Sequence, residues 1–279
     1  MAKTVILGKT GMLGSEVEKV FRESGLKIIT PERNILDAQN CTIENILDVI
    51  NGADYIINCI GIIKPYIHKD NLNEIQRAIE VNGLFPYKLA LAAQKAEMRV
   101  IQIATDCVFD GIKGGYKEDD KHNASDVYGK TKSLGEIKAD NFLNLRCSVI
   151  GREQKSYLSL LEWFLNQPKG AKVKGFKNYL WNGITTNIFA KICRGIVLNN
   201  AFMPGLQHIV PSDVVSKAEM LHIFAKIFKR EDIQIEDIDT QISINRILST
   251  NNKLQNAYLW HIGGYEKIPA IEEMIEELI

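Results

Sequence analysis

The chain has 279 residues, and its apolar (46%) and charged (24%) fractions are those of an ordinary globular protein of one to one and a half domains. Its 34 basic and 34 acidic residues cancel, so bulk charge gives it no attraction to nucleic acid or to an anionic membrane surface. No apolar run reaches the roughly 20 residues that a membrane-spanning helix needs.

The cysteine and histidine patterns bear on location and chemistry. The five cysteines are scattered and form no CxxC pair, which is typical of buried thiols in a reducing cytoplasm. The first residues lack a signal-peptide cleavage region, so we expect a cytoplasmic protein. The five histidines show no metal-ligand spacing, and we predict no metal site.

The first element is a short apolar strand at 4–7, which leads into a glycine-rich turn and a helix that ends near Ser24. The glycines permit a tight turn and a close approach of a pyrophosphate to the helix N-terminus. The spacing is GxxGxxG, and its place between a strand and an amphipathic helix favours a dinucleotide-binding turn over an ordinary loop. The candidate cofactor-binding residues of this turn are Gly8, Thr10, Gly11, Met12, Leu13 and Gly14.

The second strand, at 26–29, ends where the ribose of the adenosine should lie. An acidic residue there favours a free 2′-hydroxyl, and an arginine favours a 2′-phosphate. Glu32 and Arg33 are both present, which leaves the choice open, and Arg33 tips it toward NADP(H) over NAD(H). After a helix at 42–50, a third strand ends where it can line the cofactor, at Cys59, Ile60 and Gly61.

Residues 70–97 have the pattern of a long helix that contains Asn82 and Pro86. Pro86 is expected to kink or split this helix, because proline has no backbone donor. A buried Asn82 needs hydrogen-bond partners, so it is a candidate either for a satisfied structural amide or for a cofactor contact.

The strand at 99–104 and the helix that starts near Ser125–Asp126 carry the candidate catalytic residues. Tyr128 and Lys132 are four apart, so their side chains lie on one helix face. Such a pair is usually only a solvated face, but the glycine turn and the preceding Thr105 favour a catalytic set. An ammonium beside a phenol should lower the pKa of Tyr128 from about 10. The three residues can polarise a carbonyl and give it a proton as hydride arrives.

The pattern changes after residue 151. The order of elements predicts a Rossmann-type doubly wound parallel sheet with a smaller C-terminal α/β substrate lobe. We expect a dinucleotide-binding domain at 1–151, with a returning segment near 182–206, and a mainly substrate-binding lobe at 152–279. The later predicted elements are a strand at 141–149, a helix at about 156–166, a strand at 171–176, a helix at 186–198, a strand at 207–210, a helix from the N-cap Ser216 to Phe228, a polar loop at 246–253 and a closing helix at 269–279.

The chain resembles the extended short-chain dehydrogenase/reductases and, within them, the dTDP-4-dehydrorhamnose reductase group. The resemblance covers nearly the whole chain. It rests on the glycine turn and on the segments TDCVFDG (105–111), YKEDD (116–120), YGKTKSLGE (128–136) and RILST (246–250). A further Leu-Asp segment resembles the family's contact with adenine, which implies Asp37 and Ala38 as cofactor-binding residues.

The resemblance implies a reductase of a nucleotide-linked 4-keto-6-deoxy sugar that serves surface polysaccharide or glycan synthesis, and a possible homodimer. Tyr128 would protonate the nascent alkoxide, Lys132 would hold the nicotinamide ribose, and Thr105 would bind the carbonyl oxygen. The residues implied for substrate binding are Lys64, Thr105, Asp106, Cys107, Val108, Trp181, Asn182 and Arg246.

Two departures leave other functions open. The family's Tyr two places after the catalytic Thr is Cys107, and its later pocket Trp is Val149. GDP-fucose synthase, a second relative, uses a Cys at this place as an epimerisation acid/base with a His partner, but no His occurs between His122 and His208. The alternatives are therefore a bifunctional epimerase/reductase that uses Cys107 and a non-catalytic regulatory subunit that binds a dinucleotide.

Overall fold

A computed structural model describes residues 2–153 and 157–279. The strands are β1 (Lys3–Leu7), β2 (Lys27–Ile29), β3 (Tyr55–Asn58), β4 (Arg99–Ala104), β5 (Phe142–Arg146), β6 (Val149–Ile150), β7 (Lys172–Phe176), β8 (Tyr179–Trp181), β9 (Ile184–Thr185), β10 (Gly205–His208), β11 (Val215–Ser216), β12 (Gln234–Ile238) and β13 (Ile244–Asn245). The α-helices are α1 (Met12–Glu23), α2 (Ile43–Ile50), α3 (Leu72–Ala78), α4 (Phe85–Lys95), α5 (Val127–Leu134), α6 (Leu160–Leu165), α7 (Thr186–Leu198), α8 (Lys217–Ile227), α9 (Lys253–Ile262) and α10 (Ile271–Glu276).

A six-stranded parallel sheet in the order β10-β5-β4-β3-β1-β2 organises the fold. The chain runs outward from β1 to β2 and then returns to β3, so the winding direction reverses between β1 and β3. In such sheets a ligand binds at the carboxyl ends of the strands beside this reversal. The observed topology confirms the predicted Rossmann-type doubly wound sheet.

Successive residues of the central strands are buried on opposite faces of the sheet, as strand geometry requires. Ile57 and Ile101 belong to the apolar cluster that packs with α1 and α7. Ile56 and Val100, one residue earlier, belong to the cluster that packs with α2 and α4. The sheet is therefore covered by helices on both faces, and the site must lie at its carboxyl edge.

The predicted long helix at 70–97 is split. It consists of α3, a π-helical segment at Ile79–Leu84, and α4, which has Pro86 in its first turn. Pro86 has no backbone N–H to donate, and it lies where the hydrogen-bond pattern changes from π-helical to α-helical. The π-helical segment carries Asn82, which is 2% exposed.

The C-terminal half contains more short elements than the sequence predicted. β12 pairs with β7, and β8 lies between β11 and β13. β7 corresponds to the predicted strand at 171–176. The prediction had no counterpart of β8, β11, β12, β13 or α9, and only a polar loop at 246–253. The predicted helix at 156–166 corresponds to α6, and its predicted first residue lies outside the described residues.

Part of the C-terminal half joins the first half. β10 pairs with β5 as an edge strand of the central sheet, and α7 packs against α1. The boundary between the two domains stays a prediction. No helix within the described ranges is both long enough and apolar enough to cross a bilayer.

Candidate active site

The glycine turn brings the start of α1 against the end of β1. Gly8 has a φ of +86°, a region in which residues with a side chain are strained. A Cβ on Gly14 would lie 2.1 Å from the carbonyl oxygen of Gly8, so only glycine allows this approach. The N-cap of α1 is Gly11, which makes no side-chain capping bond. The first N–H groups of α1 therefore suit an anionic group such as a pyrophosphate.

The first cavity, of about 230 Å³, opens beside this turn. Its lining includes the sequence-predicted residues Gly8, Thr10, Gly11, Arg33, Asp37, Ala38, Cys59, Ile60 and Gly61, and also Glu32, the acidic alternative at the ribose position. The lining residues that were not predicted are Leu7, Lys9, Pro31, Leu36, Ile62, Arg77 and Val81. The Nε atom of Arg77 is buried and has no hydrogen-bond partner within the described chain. An unpaired donor and a glycine cradle at one cavity fit an anionic dinucleotide.

The charged residues at the rim of the first cavity pair with one another. Lys9 Nζ lies 2.5 Å from Glu32 Oε1, and Arg33 Nε lies 3.4 Å from Asp37 Oδ1. Burial raises the pKa of Asp37, but hydrogen bonds from Asn40 and from the backbone outweigh this effect, helped by Arg33, so the pKa is lowered overall. The Arg33 side chain is 68% exposed, so it is free to turn toward a ligand.

The second cavity, of about 530 Å³, begins at the same turn and extends toward the C-terminal lobe. It brings together the predicted catalytic residues Thr105, Tyr128 and Lys132. The other predicted residues that line it are Thr10, Gly11, Met12, Leu13, Cys59, Ile60, Gly61, Asp106, Cys107 and Trp181. The two cavities share the residues of the glycine turn and of the end of β3, so they form one continuous cleft.

Helix α5 presents Tyr128 and Lys132 to this cavity because of a close contact behind them. A Cβ on Gly129 would lie 2.3 Å from the carbonyl oxygen of Cys107, so glycine lets the helix pack directly on the segment after β4. Asp126 caps the helix by accepting a hydrogen bond from Gly129 N at 2.8 Å. The Lys132 Nζ donates to the carbonyl oxygen of Ile103 at 3.2 Å.

The predicted effect of Lys132 on Tyr128 is wrong for this structure. Burial raises the pKa of Tyr128, neighbouring Cys107 adds to the increase, and a hydrogen bond with Thr105 opposes it. Burial likewise lowers the pKa of Lys132, although Glu136 opposes this shift. Desolvation penalises both charged forms, and here it is the largest influence on each pKa. Tyr128 is therefore a protonated phenol, which is the form that donates a proton.

Burial also raises the pKa of both side chains that follow Thr105. Burial and the nearby carboxyl of Asp106 raise the pKa of Cys107 to about 12, so its thiol is protonated. Burial raises the pKa of Asp106 as well, although Arg246 and Lys217 oppose this shift. Thr105 Oγ1 accepts from Cys107 N at 3.2 Å and lies 3.2 Å from Asp106 Oδ1.

Several residues that were predicted to contact the substrate do not line either cavity. Lys64 pairs with Asp126 at 2.8 Å on the surface. Val108 is fully buried in a small apolar cluster. Asn182 exchanges two hydrogen bonds with the backbone of Leu248, at 2.7 and 2.9 Å. None of the three lines either cavity in this structure, and their assignment as substrate contacts stays a prediction.

Asn82, Gly14 and Arg246 are three further predicted contact residues that line neither cavity. The Asn82 amide accepts from Ile62 N at 2.8 Å and donates to Ile62 O at 2.9 Å, and it also donates to Thr131 Oγ1 at 3.2 Å. This is the satisfied structural amide, one of its two predicted roles. Gly14 lines neither cavity, nor does Arg246, whose Nε donates to the Phe109 carbonyl at 2.9 Å.

Other residues of the second cavity were missed by sequence reasoning, above all Lys217, the first residue of α8. A signal existed, because a lysine directly after an N-cap opposes the helix dipole and invites another explanation. Ser148 also lines the cavity and accepts a hydrogen bond from Trp181 Nε1 at 2.9 Å. Nothing in its sequence context distinguishes this serine from others.

A buried polar network lies behind α5. Arg146 is 0% exposed and forms a two-pronged ion pair with Glu136, at 2.5 and 3.0 Å. Its Nη1 lies 2.8 Å from His208 Nε2, and its Nη2, which also binds Glu136, lies 2.6 Å from His122 Nε2. His208 Nδ1 must donate to the Ser249 carbonyl at 2.6 Å, so the ring is neutral. Burial and Arg146 lower its pKa to about 4. The network therefore joins β5 and β10 to the segment just after α5 and to the loop at 246–253.

No group of three or more His, Cys, Asp or Glu side chains among residues 2–153 and 157–279 could hold a metal ion. The cysteines at 41, 59, 107, 147 and 193 are all free thiols.

Comparison with known proteins gives both complete and partial matches. The family model described as RmlD substrate binding domain matches residues 2–243. The dTDP-4-dehydrorhamnose reductase of Aggregatibacter actinomycetemcomitans is 33% identical over 141 residues, which is 49% of this chain and 46% of that protein. The chain thus spans about half the length of several curated relatives that it matches. Methionine adenosyltransferase 2 subunit beta of Bos taurus is 30% identical over 291 residues, 96% of this chain and 84% of that protein.

Solved structures share the fold over the full length. The dTDP-4-dehydrorhamnose reductase of Bacillus anthracis in complex with NADP superposes with a TM-score of 0.81 at 18% identity, covering 99% of this chain and 98% of that one. MoeE5 in complex with UDP-glucose and NAD gives 0.74 at 16% identity, covering 100% and 97%. Because the family model covers most of the sequence, this chain belongs to the RmlD substrate-binding domain family, which confirms its resemblance to the dTDP-4-dehydrorhamnose reductase group.

Proposed function

We propose that this protein is an NAD(P)H-dependent reductase of a nucleotide-linked 4-keto-6-deoxy sugar that supplies surface polysaccharide or glycan precursors. The observation that carries the proposal is the meeting of Thr105, Tyr128 and Lys132 in one cavity, continuous with the glycine turn. The reductase named among the relatives supports the same reaction class.

The chain's own residues divide the work of such a reduction. The reduced nicotinamide supplies the hydride when it is bound. Tyr128 gives its hydroxyl proton to the substrate oxygen, and its raised pKa keeps that proton in place until negative charge develops. Thr105 donates a hydrogen bond to the same oxygen, and Lys132 holds the nicotinamide ribose. General acid catalysis of this kind contributes on the order of 10²–10⁴-fold.

We propose the first cavity and the glycine turn as the dinucleotide site, with NADP(H) favoured over NAD(H). Arg33 and Lys9 are two cations at the cavity rim that can approach a 2′-phosphate. The similar solved structures carry NADP in one case and NAD in the other, so the preference rests on these two side chains.

The test is oxidation of the reduced cofactor, followed at 340 nm. Nucleotide 4-keto-6-deoxy sugars, made in situ by dehydratases, would be offered with each nicotinamide form. We expect turnover with one nucleotide sugar and faster turnover with NADPH. Binding of cofactor without turnover on any member of the panel would reject this function.

A second candidate is a non-catalytic regulatory subunit. It is favoured by the match to methionine adenosyltransferase 2 subunit beta, which covers 96% of this chain. The presence of Thr105, Tyr128 and Lys132 favours catalysis instead, since a regulator does not need all three. A stable complex with another enzyme, together with silence in the 340 nm assay, would support the regulatory function.

A third candidate is an epimerase/reductase that uses Cys107. The thiol lines the second cavity, but its pKa of about 12 leaves little thiolate to act as a base. Solvent deuterium at C3 or C5 of the product sugar would support epimerisation. Full activity of Cys107→Ser without exchange would remove it.

A homodimer is also proposed. Leu84, Tyr87 and Leu91 are spaced by three and four residues, and each is between 44% and 49% exposed, so they form an apolar stripe on one helix face. Light scattering of the wild type and of Leu91→Lys would test whether this stripe pairs two copies. A monomeric wild type would reject the dimer.

A cytoplasmic location is the last proposal. Free thiols at all five cysteines suit a reducing compartment, and reduced nicotinamide cofactors would be at hand there. Fractionation of cells that express the full-length protein would test it, and recovery outside the cytoplasm would reject it.

A further inference from the structure

Lys217 projects into the second cavity from a rigid position. The preceding residue, Ser216, caps α8 by accepting from Glu219 N at 3.1 Å, and the Glu219 carboxylate accepts from Ser216 N at 2.6 Å. This capping box fixes the turn that carries Lys217. Its Nζ lies 5.6 Å from the ring centroid of Trp181, which lines the same cavity.

The position of Lys217 is unfavourable for the free protein. A cation in the first turn of a helix opposes the helix dipole, and Lys217 itself is half-buried. Among residues 2–153 and 157–279, no carboxylate lies within 4.0 Å of its Nζ, and no group accepts a hydrogen bond from it. The ammonium therefore has capacity for three hydrogen bonds that the described protein does not use.

The charges that face Lys217 leave room for an anion. Asp106 and Cys107 come from the segment after β4, and Arg246 comes from the loop that follows β13. Glu153 and Tyr128 line the same cavity. Burial raises the pKa of the Asp106 carboxyl, which weakens it as a counter-charge for Lys217, and Glu153 is the other carboxyl on the cavity lining.

We propose that Lys217 binds a phosphate of the substrate's nucleotide diphosphate. This inference rests on the proposed function, because it takes the second cavity to be the site of a nucleotide sugar. Lys217 is a binding and specificity residue, and the proton transfer remains with Tyr128.

Calorimetric titration of the full chain saturated with NADP⁺ would test the proposal with UDP, UDP-glucose and UDP-glucuronic acid as probes. The variants are Lys217→Gln, which removes the charge, and Lys217→Arg, which keeps it. Lys226→Gln is the matched control, since Lys226 lies on the same helix and is 70% exposed. Loss of a charge-assisted hydrogen bond is expected to weaken binding on the order of 10- to 100-fold.

The probes distinguish the diphosphate from other anionic groups. If Lys217 binds the diphosphate, Lys217→Gln weakens all three ligands equally. Affinities that Lys217→Gln leaves unchanged would overturn this inference alone, and so would a loss confined to UDP-glucuronic acid, whose sugar carboxylate a 6-deoxy sugar lacks. A wild type that binds NADP⁺ but none of the three ligands would also overturn the inference, and the 340 nm assay would decide the proposed function separately.

The pH dependence of binding gives a readout that a packing role would not produce. Burial lowers the pKa of Lys217 to about 8, although Asp106 opposes this shift. The affinity of the wild type for UDP should therefore fall between pH 7 and pH 9, and the affinity of Lys217→Arg should stay level. A fall that persists in Lys217→Arg would assign the titration to another group, such as Asp106, and would contradict the proposal.

Discussion

The two ends of the cleft use charge in opposite ways. At the first cavity the charged side chains are exposed and paired, as Lys9 is with Glu32. At the second cavity Lys132 and Lys217 are withdrawn from solvent and form no ion pair within the described residues. Exposed pairs contribute only about 0–1 kcal/mol and are exchanged easily. An ammonium withdrawn from water is costly unless it gains a partner, so its partner is expected to come from a ligand.

The largest effect is expected from Tyr128→Phe, which removes the proton donor of the second cavity. We expect turnover to fall on the order of 10²–10⁴-fold with the cofactor dissociation constant unchanged. Stopped-flow turnover and a fluorescence titration of NADPH would measure the two quantities. Tyr87→Phe, at an exposed position on α4, serves as the control, and a Tyr128→Phe enzyme within a few-fold of wild type would refute the assignment.

Arg146→Met extends the comparison to the buried ion pair between Arg146 and Glu136. Removing one partner of a buried ion pair leaves Glu136 uncompensated, and we expect a loss of about 3–5 kcal/mol in the free energy of unfolding. Urea denaturation would measure it. In the control Lys177→Met, the lost pair with Asp239 is exposed on both sides, and the loss should stay below about 1 kcal/mol. Equal losses would abolish the distinction between exposed and buried charges.

Arg33→Ala tests whether the exposed charges of the first cavity serve the cofactor. If Arg33 meets the 2′-phosphate, the KM for NADPH should rise about tenfold and the KM for NADH should change little. Steady-state kinetics with both cofactors would measure this. Arg22→Ala, which breaks an exposed pair on α1, is the control. A similar rise for both cofactors would show that Arg33 does not select between them.

The smallest effect is expected from Lys64→Ala. Its pair with Asp126 is on the surface, so the free energy of unfolding should change by less than about 1 kcal/mol, with substrate affinity unaltered. Asp126→Ala removes the cap of α5 and should cost about 0.5–2 kcal/mol. Thermal denaturation compares the stability of the two variants. A large loss of substrate affinity in Lys64→Ala would contradict this expectation and support the predicted role of Lys64 as a substrate contact.

The sequence predicted the first cavity well because its residues are close together in the chain. The glycine turn directly follows its strand, so the roles of Gly8 and Gly14 in the turn could be inferred from local backbone geometry. The spacing of Tyr128 and Lys132 likewise defines one helix face. These features depend on backbone rules that act over a few residues.

The second cavity was predicted less well because side-chain direction in its walls depends on distant contacts. Asn182 is held by Leu248, which lies 66 positions later. Arg246 is held by the carbonyl of Phe109, which lies 137 positions earlier. The strands missed in this half have two to five residues, and α9 has no side-chain cap. Neither periodicity nor capping could have revealed them.

The pairing of Tyr116 with the loop at 246–253 has a consequence for folding. Tyr116 N donates to the Ile247 carbonyl at 2.9 Å, and Ser249 N donates to the Tyr116 carbonyl at 2.7 Å, so this contact joins segments some 130 residues apart. Contacts of such high order form late, since they must overcome a large loop-closure entropy. During synthesis the glycine turn and its sheet neighbours emerge from the ribosome long before this loop. The nascent chain is therefore expected to acquire its dinucleotide-binding half well before its substrate wall.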